Sequence, residues 1–457
     1  MIKILPFLIA ISQVLASQTI SQKLEASAKS LMNSSPAYAA QLSIYVADDS
    51  GNFIYEYNGN KGLSSASTQK IFTAAAILET LGKNYQYTTT ASYSGAISNG
   101  NLSENLFIKS NGDPTLGSWR YENYKPENFK KKFIETLKQK GITKISGDII
   151  IDDSYFDFQK TPGGWPWNDM GNYYGAGVWG INWRENQFDI QMNGKEMKEI
   201  NVDLPNVKWI NKVKTGGSSD QSLIYTAPYS NVAYITGTLP AKAITVSGAT
   251  PNPPLTFGSE IKNWLNEAKI DFQGKITSTS MQEINGEKIL YAPQNNILVE
   301  YKSPTLDKIV YWFLRKSVNF YGETFIKTLG KEKKNEGSFD AGISYLKEFW
   351  KGKGINAAMV NFADGSGLSP QNYVSSRAEV QSLIWSKKQA WFPEFFEGFP
   401  TQSNGMKMKS GTMKNTKSFA GYHTSKDGKN YVFAIIINNY QSADLSEALF
   451  KVLNNLK

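Results

Sequence analysis

No cysteine occurs among the 457 residues, and histidine occurs once, as His423. Without thiols there is no disulfide, no cysteine nucleophile and no zinc–thiolate site. A single imidazole excludes a histidine-rich metal centre, and no metal is expected. No cofactor is expected either: Gly175-Ala176-Gly177-Val178-Trp179-Gly180 matches the dinucleotide fingerprint, but it neither follows a clear strand nor opens a helix. A Gly-x-Ser-x-Gly elbow is also missing. A Ser-His-Asp triad would rest on His423 alone, at a strand end within Gly421-Tyr422-His423-Thr424-Ser425. If the chain is a serine enzyme, its base is expected to be a lysine. Beyond the N-terminus no stretch approaches the ~18 apolar residues of a membrane span. The net charge of +9 is spread along the chain without Lys/Arg runs, so nucleic acid is not an expected partner.

What is there begins with residues 1–17. Lys3, the apolar run Ile4–Ile11 and the small residues of Val14-Leu15-Ala16-Ser17 read as an export signal, placing the mature protein in the periplasm or at the cell envelope. The remaining length exceeds one ordinary core. Residues 18–86 and 295–457 show helix and hairpin patterns at the front and helices, strands and helix at the back, as one α/β domain split in two. Between them, residues 87–294 are Thr/Ser/Asn/Gly-rich short strands, with helical pattern confined to Pro126–Lys140 and about Ser259–Ala268. This reads as a large, mostly β insert of one or two subdomains. In the split domain, Leu42–Val46 and Phe53–Tyr57 form a hairpin, Thr305–Leu329 a helix stopped by Gly330, and Phe339–Lys351 and Ser376–Lys387 two further helices. Tyr431–Ile437 reads as a buried strand, and Ala443–Leu456 as a helix capped by Ser442.

The chain is organised around Ser64-Ser65-Ala66-Ser67-Thr68-Gln69-Lys70 and the apolar helix that follows it to Gly82. A helix apolar on every side belongs in a core. Ser67 and Lys70 fall on one face of its first turn, about 4.5 Å apart along the axis. Burial and the positive end of the helix dipole both disfavour an ammonium there, so a neutral amine could take the proton of Ser67. A capping serine and an ordinary solvated lysine would give the same letters, so the chemistry needs further groups. Ser317-Val318-Asn319 offers two polar side chains to relay protons and hold Lys70. Lys409-Ser410-Gly411-Thr412 offers a cation, with a glycine that lets substrate backbone approach.

Ser-x-x-Lys, Ser-x-Asn and Lys-Ser/Thr-Gly, in that order, resemble the penicillin-recognising serine acyl-transferases. Asn111-Gly112-Asp113-Pro114-Thr115-Leu116, Gly147–Asp157, Tyr174-Gly175-Ala176 and Asp364-Gly365-Ser366-Gly367-Leu368-Ser369 resemble the D-alanyl-D-alanine carboxypeptidase/endopeptidase family of low-molecular-mass penicillin-binding proteins, over nearly the whole mature chain. The resemblance implies an antiparallel sheet flanked by helices and interrupted by inserted domains. It implies Ser67 as acylated nucleophile, Lys70 as its base, Ser317 as proton relay and Asn319 as the holder of Lys70 and the substrate amide. It also implies Lys409 as the source of positive potential, Ser410 and Thr412 as ligands of the terminal carboxylate with Gly411 between them, and the N–H groups of Ser67 and Thr412 as oxyanion hole. The implied partners are the D-Ala-D-Ala end of peptidoglycan stem peptides and β-lactams. Val318 stands where the family has aspartate and Ser410 where threonine is usual; neither change removes a reacting group.

Other matches are set aside. Lys214-Thr215-Gly216 precedes the Ser-x-Asn motif and lies in the insert, Ser50-Gly51-Asn52 is a hairpin turn, and Ser103-Glu104-Asn105 is a loop. Asp152, Asp153 and Asp157 read as turn caps at a solvated strand end. Asp364 and Ser366 read as part of the active-site rim, and Trp165, Trp167 and Asp169 as a substrate-contact region. Two alternatives remain open: a non-catalytic peptidoglycan-binding protein of the same fold, and a β-lactamase.

Overall fold

Alternation along one strand decides how the split domain is layered. In the computed structural model, which describes residues 18–441 and 444–457, the main sheet contains β1 (Gln41–Asp48), β2 (Phe53–Tyr57), β3 (Lys407–Met413), β4 (Thr416–Thr424) and β5 (Asn430–Asn438). The order is β2-β1-β5-β4-β3 and every pairing is antiparallel. Val432, Ala434 and Ile436 of β5 face one core, while Phe433, Ile435 and Ile437 face the other. Both faces are covered, so the strand is apolar at every position rather than at every second one. The β1–β2 hairpin turns where the Asp48 carboxylate accepts from the N–H groups of Ser50 and Asn52, at 2.9 and 2.8 Å.

The longer helices of this half are α1 (Ile20–Met32), α2 (Lys70–Leu81), α3 (Leu306–Arg315), α4 (Asn319–Lys334), α5 (Phe339–Gly352), α6 (Ser376–Lys387) and α7 (Ser446–Leu453). The chain's two ends, α1 and α7, cover one sheet face, and α2, α3, α4 and α6 pack on the other. Gly82 ends α2 as expected, at φ +80. Three boundaries differ from the sequence expectation. The pattern over Thr305–Leu329 is two helices, broken at Ser317, whose φ is +57. Gly330 is not a stop: α4 runs through it to Lys334 and is ended by left-handed Asn335. A Cβ on Gly330 would lie 2.6 Å from Glu336 O and 2.9 Å from the N–H of Gly342 in α5, so the glycine serves helix contact instead. The last helix begins at Ser446, whose N–H bonds Asp444, and finishes in a 3-10 turn, Asn454–Leu456. The expected cap Ser442 and first residue Ala443, like the export signal at 1–17, lie outside the described residues.

The intervening chain builds two further cores. A five-stranded sheet runs Ile276–Ser278, Ile149–Asp152, Leu106–Ser110, Thr88–Tyr93 and Ile297–Lys302, parallel among the first three and antiparallel after that. Helices Pro126–Gln139 and Pro253–Glu267 contribute to its core. The second of these starts earlier than Ser259 because Asn252 caps Leu255 N–H and Pro253 and Pro254 fit the first turn. Ile297–Lys302, grouped by composition with the catalytic half, pairs with Thr88–Tyr93 and so completes the insert's sheet. Smaller strands from Gln187 to Ala249 enclose a separate core around Phe188, Ile190, Ile224 and Ile235. The insert docks on α4, where buried Lys327 donates to Asp157 Oδ1 at 2.5 Å and to Gln159 O.

Candidate active site

Ser67 does not sit inside an α-helix. It lies in a 3-10 turn, Ala66–Gln69, that leads into α2 at Lys70. In a 3-10 turn residues i and i+3 eclipse, and this brings Lys70 Nζ to 2.9 Å from Ser67 Oγ. The same amine donates to Asn319 Oδ1 at 2.6 Å and to Ser366 O at 2.7 Å. Lys70 is 0% exposed. Neighbouring Ile71, Phe72, Ile77 and Leu78 are equally buried, each contributing about 1.5–3 kcal/mol, which offsets the cost of burying the lysine among them. Burial lowers the Lys70 pKa to about 7, against the opposing pull of the Asp364 and Glu323 carboxylates. Near neutral pH the amine is therefore available as a base.

The break between α3 and α4 presents the second motif. Left-handed Ser317 stands off the helix, and its Oγ accepts from Lys409 Nζ at 3.0 Å. Asn319, the first residue of α4, reaches Lys70 with Oδ1 and donates from Nδ2 to Tyr174 O of the insert at 2.9 Å. Lys409, 2% exposed, also donates to Ser410 O at 2.8 Å. Burial, reinforced by the charge of Lys70, holds its pKa well below the ordinary lysine value.

Gly411 is fixed by close approach. A Cβ there would stand 2.2 Å from Ser65 O and 2.9 Å from Ser67 N, so β3 passes directly against the turn that holds Ser67. Ser67, Ser317, Asn319 and Thr412 line one cavity of about 640 Å³. The three motifs expected from sequence thus converge. Lys214-Thr215 is an exposed two-residue strand in the insert, outside that cavity. Asp152 and Asp153 are not at a solvated strand end but buried: Asp152 accepts from Ser154 in the local turn and from the N–H of Ala292, and Asp153 accepts from the distant Thr279 and Ser280 hydroxyls.

Several groups at the site have partners that the sequence did not reveal. Asp364, expected at the rim, organises its loop from within: its carboxylate accepts from the N–H of Gly367, the N–H of Ser369, Asn372 Nδ2 and Trp165 Nε1. That loop presents Ser366 O to Lys70. Glu323, one turn after Asn319 on α4, holds the same loop through Gly365 N–H at 3.0 Å. Burial, with the nearby Asp364 charge, raises its pKa to about 8. Its helical spacing from Asn319 was visible in the sequence; its target was not. Glu379 of α6 accepts from Thr68 Oγ1, next to Ser67, at 2.5 Å, and burial raises its pKa to about 8 as well. From the insert, Arg120, Asp169, Tyr174 and Glu185 join the cavity wall. Of the expected aromatic–acidic cluster, Asp169 lines the cavity. Trp165 is buried on Asp364, and Trp167, 56% exposed, meets Tyr225 and Tyr234 edge-on outside it. Glu185 sits in a turn where Arg184, Glu185 and Asn186 all have positive φ, 53, 54 and 53. Such strain costs about 1–3 kcal/mol per residue and persists only where the surroundings enforce it.

A serine hydroxyl bonded by a buried lysine, at the edge of a five-stranded antiparallel sheet, defines the class: a penicillin-recognising serine hydrolase with inserted domains. The chain belongs to the D-Ala-D-Ala carboxypeptidase 3 (S13) family, whose model matches residues 24–453. Its activity is that of a serine-type D-Ala-D-Ala carboxypeptidase. It is 27% identical over 427 residues to the D-alanyl-D-alanine carboxypeptidase DacB of Haemophilus influenzae, covering 86% of this chain and 84% of that one. It is 25% identical over 442 residues to the D-alanyl-D-alanine carboxypeptidase of an Actinomadura species, covering 89% and 79%. Among solved structures, penicillin binding protein 4 of H. influenzae superposes with a TM-score of 0.78 at 24% identity, over 94% of this chain and 98% of that one. The same protein complexed with a β-lactam gives 0.72 at 23%, over 95% and 98%.

Proposed function

We propose that Ser67 is the nucleophile with which this carboxypeptidase opens the D-Ala-D-Ala bond of peptidoglycan stem peptides, and D-alanyl cross-links of the same chemistry. The Lys70 amine takes the Ser67 Oγ proton as Oγ bonds to the penultimate alanine's carbonyl carbon. The oxygen charge that develops is received by the N–H groups of Ser67 and Thr412. Ser317 passes a proton to the departing D-alanine nitrogen, and Asn319 holds Lys70 and the substrate amide. Lys409 supplies positive potential, while the Ser410 and Thr412 hydroxyls hold the terminal carboxylate. Water then attacks the ester, giving its proton to Lys70, and Ser67 is restored. β-Lactams acylate the same oxygen. Residues 18–86 with 303–457 form the catalytic unit, 87–302 the insert, and residues 1–17 export the chain to the cell envelope.

The observation that carries this reading is the buried Lys70 amine on Ser67 Oγ, with its pKa lowered to about 7. A non-catalytic protein of this fold would have no need to keep an amine desolvated there. The test is labelling with a fluorescent penicillin, peptide mass spectrometry and release of D-alanine from a D-Ala-D-Ala peptide, with Ser67→Ala alongside. A stable adduct on Ser67 and D-alanine release, both absent in the variant, are expected. Absence of an adduct in the folded protein would favour the binding-protein alternative, and rapid turnover of penicillin the β-lactamase.

A further inference from the structure

Outside the catalytic cavity, one face of a small sheet in the insert is apolar and exposed. Three short strands form that sheet: Val232–Thr236 lies between Lys208–Asn211, to which it is parallel, and Leu223–Tyr225, to which it is antiparallel. Ile224 and Ile235 point into the insert's core. Their neighbours alternate to the other face. There Ile210, Tyr234 and Tyr225 stand opposite one another across the three strands, and Val232 joins them two residues along. A solvent-facing sheet face is normally polar, yet Ile210 is 46% exposed and Val232 42%. The Tyr225 and Tyr234 rings stack 4.6 Å apart and 5° from parallel, and the Trp167 indole crosses them at 75° and 80°. Braced in this way, the indole still keeps more than half of its surface open to solvent. Trp167 also adjoins the cavity that holds Ser67, because Pro166 and Asn168, on either side of it in the chain, both line that cavity.

A fixed, exposed indole beside two phenol rings fits a flat ligand that is apolar on its faces and polar at its edge. A pyranose ring answers that description, with C–H groups on its faces and hydroxyl and acetamido groups around its rim. The patch is too small for a protein partner, since a standard interface takes about 20–30 residues a side. Each residue of an extended peptide adds about 3.3–3.6 Å, so a stem peptide of a few residues with its scissile bond at Ser67 carries its sugar attachment to the cavity's edge. We propose that the Trp167–Tyr225–Tyr234 surface binds an N-acetylated sugar of the glycan strand that bears the stem peptide, so that the enzyme prefers peptides still attached to glycan. The proposal rests on the peptidase reading above. A competing account is that the three rings only hold the Trp167–Met170 helix against the sheet and so shape the cavity wall at Asp169.

The test compares one D-Ala-D-Ala stem peptide, free and attached to a peptidoglycan tetrasaccharide. In the wild type, kcat/KM should be at least tenfold higher for the attached form, about 1.4 kcal/mol of discrimination. Trp167→Ala and Tyr234→Ala should bring the attached/free ratio towards one, and Trp167→Phe, which keeps a ring, should fall between. Peptide-free glycan chains should inhibit hydrolysis of the attached form and leave the rate on the free peptide unchanged. Equal rates on both forms in the wild type would overturn the proposal. So would variants that slow both forms alike and keep the ratio, which is what a purely structural cluster predicts. Glycan that inhibits both substrates equally would overturn it too, by placing the sugar in the cavity itself. If the alanine variants do not fold, Trp167→Phe, the wild-type ratio and the glycan inhibition still decide. Penicillin labelling of wild-type Ser67 is read separately: its failure would count against the peptidase reading, whereas labelling with equal rates on both forms would count against the glycan surface alone.

Discussion

Lys70 concentrates the residue-scale consequences. With its pKa near 7, only the deprotonated amine can accept the Ser67 proton, so acylation should rise with pH through about 7 and level off above it. Stopped-flow acylation by a chromogenic β-lactam across pH 5–9 checks this, and a profile flat through that range would contradict the assigned role. Lys70→Ala should lower the acylation rate by about 10²–10⁴, the usual worth of a positioned base. The spacing of Ser67 and Lys70 was legible because they are three residues apart in one turn. The depressed pKa was legible only as a direction, since it depends on burial by α3, α4 and the Asp364 loop. The partners of Glu323 and Glu379 were not legible at all. Each lies more than 40 residues from the group it holds.

At the scale of elements, two glycines make opposite predictions for site and stability. Gly411→Ala would push β3 away from Ser65 and Ser67, so penicillin labelling should be lost while much of the fold survives. Gly330→Ala should leave labelling intact but destabilise the protein by about 1–3 kcal/mol, because a methyl there meets the backbone of α5. Denaturant unfolding measures this, and an unfolding free energy equal to that of the wild type would remove the α4–α5 contact at buried Gly330 from the account. The α3–α4 break was missed because Leu306, Ile309, Val310, Phe313, Phe320 and Phe325 carry an apolar stripe across it. Hydrophobic spacing cannot register a left-handed residue at Ser317, whose Oγ accepts from Lys409, 92 residues away.

Across the whole molecule, buried carboxyls shape the pH dependence of stability. Glu323 and Glu379 have folded pKa values near 8, far above the unfolded value, so between about pH 4.5 and 8 the native state binds more protons than the unfolded one. Stability contributed by these neutral groups is full at low pH and lost as pH rises through 8. Lys70 and Lys327, lowered to about 7, act in the opposite sense, and their contribution rises between 7 and the unfolded lysine pKa. Glu379→Gln keeps an acceptor for Thr68 but cannot ionise. Its melting temperature should therefore decline less between pH 5 and 8 than that of the wild type, and parallel curves would remove Glu379 from this account.

The sequence by itself determined the chemistry available and the layout that carries it. Zero cysteines and one histidine pointed to lysine as the candidate base, the motif order singled out Ser67 and Lys70, and the change of texture near residue 87 marked an insert. The β5 run, apolar at every position, already required a sheet covered on both faces. These are properties of local spacing and composition, which survive in a linear chain. Tertiary structure alone decided that Lys70 is desolvated, that Ser317 leaves the helix to meet Lys409, and that Arg120 and Glu185, 65 residues apart, form one wall of the cavity. Desolvation and long-range pairing are set by which elements cover a group, and no residue's near neighbours in sequence specify them.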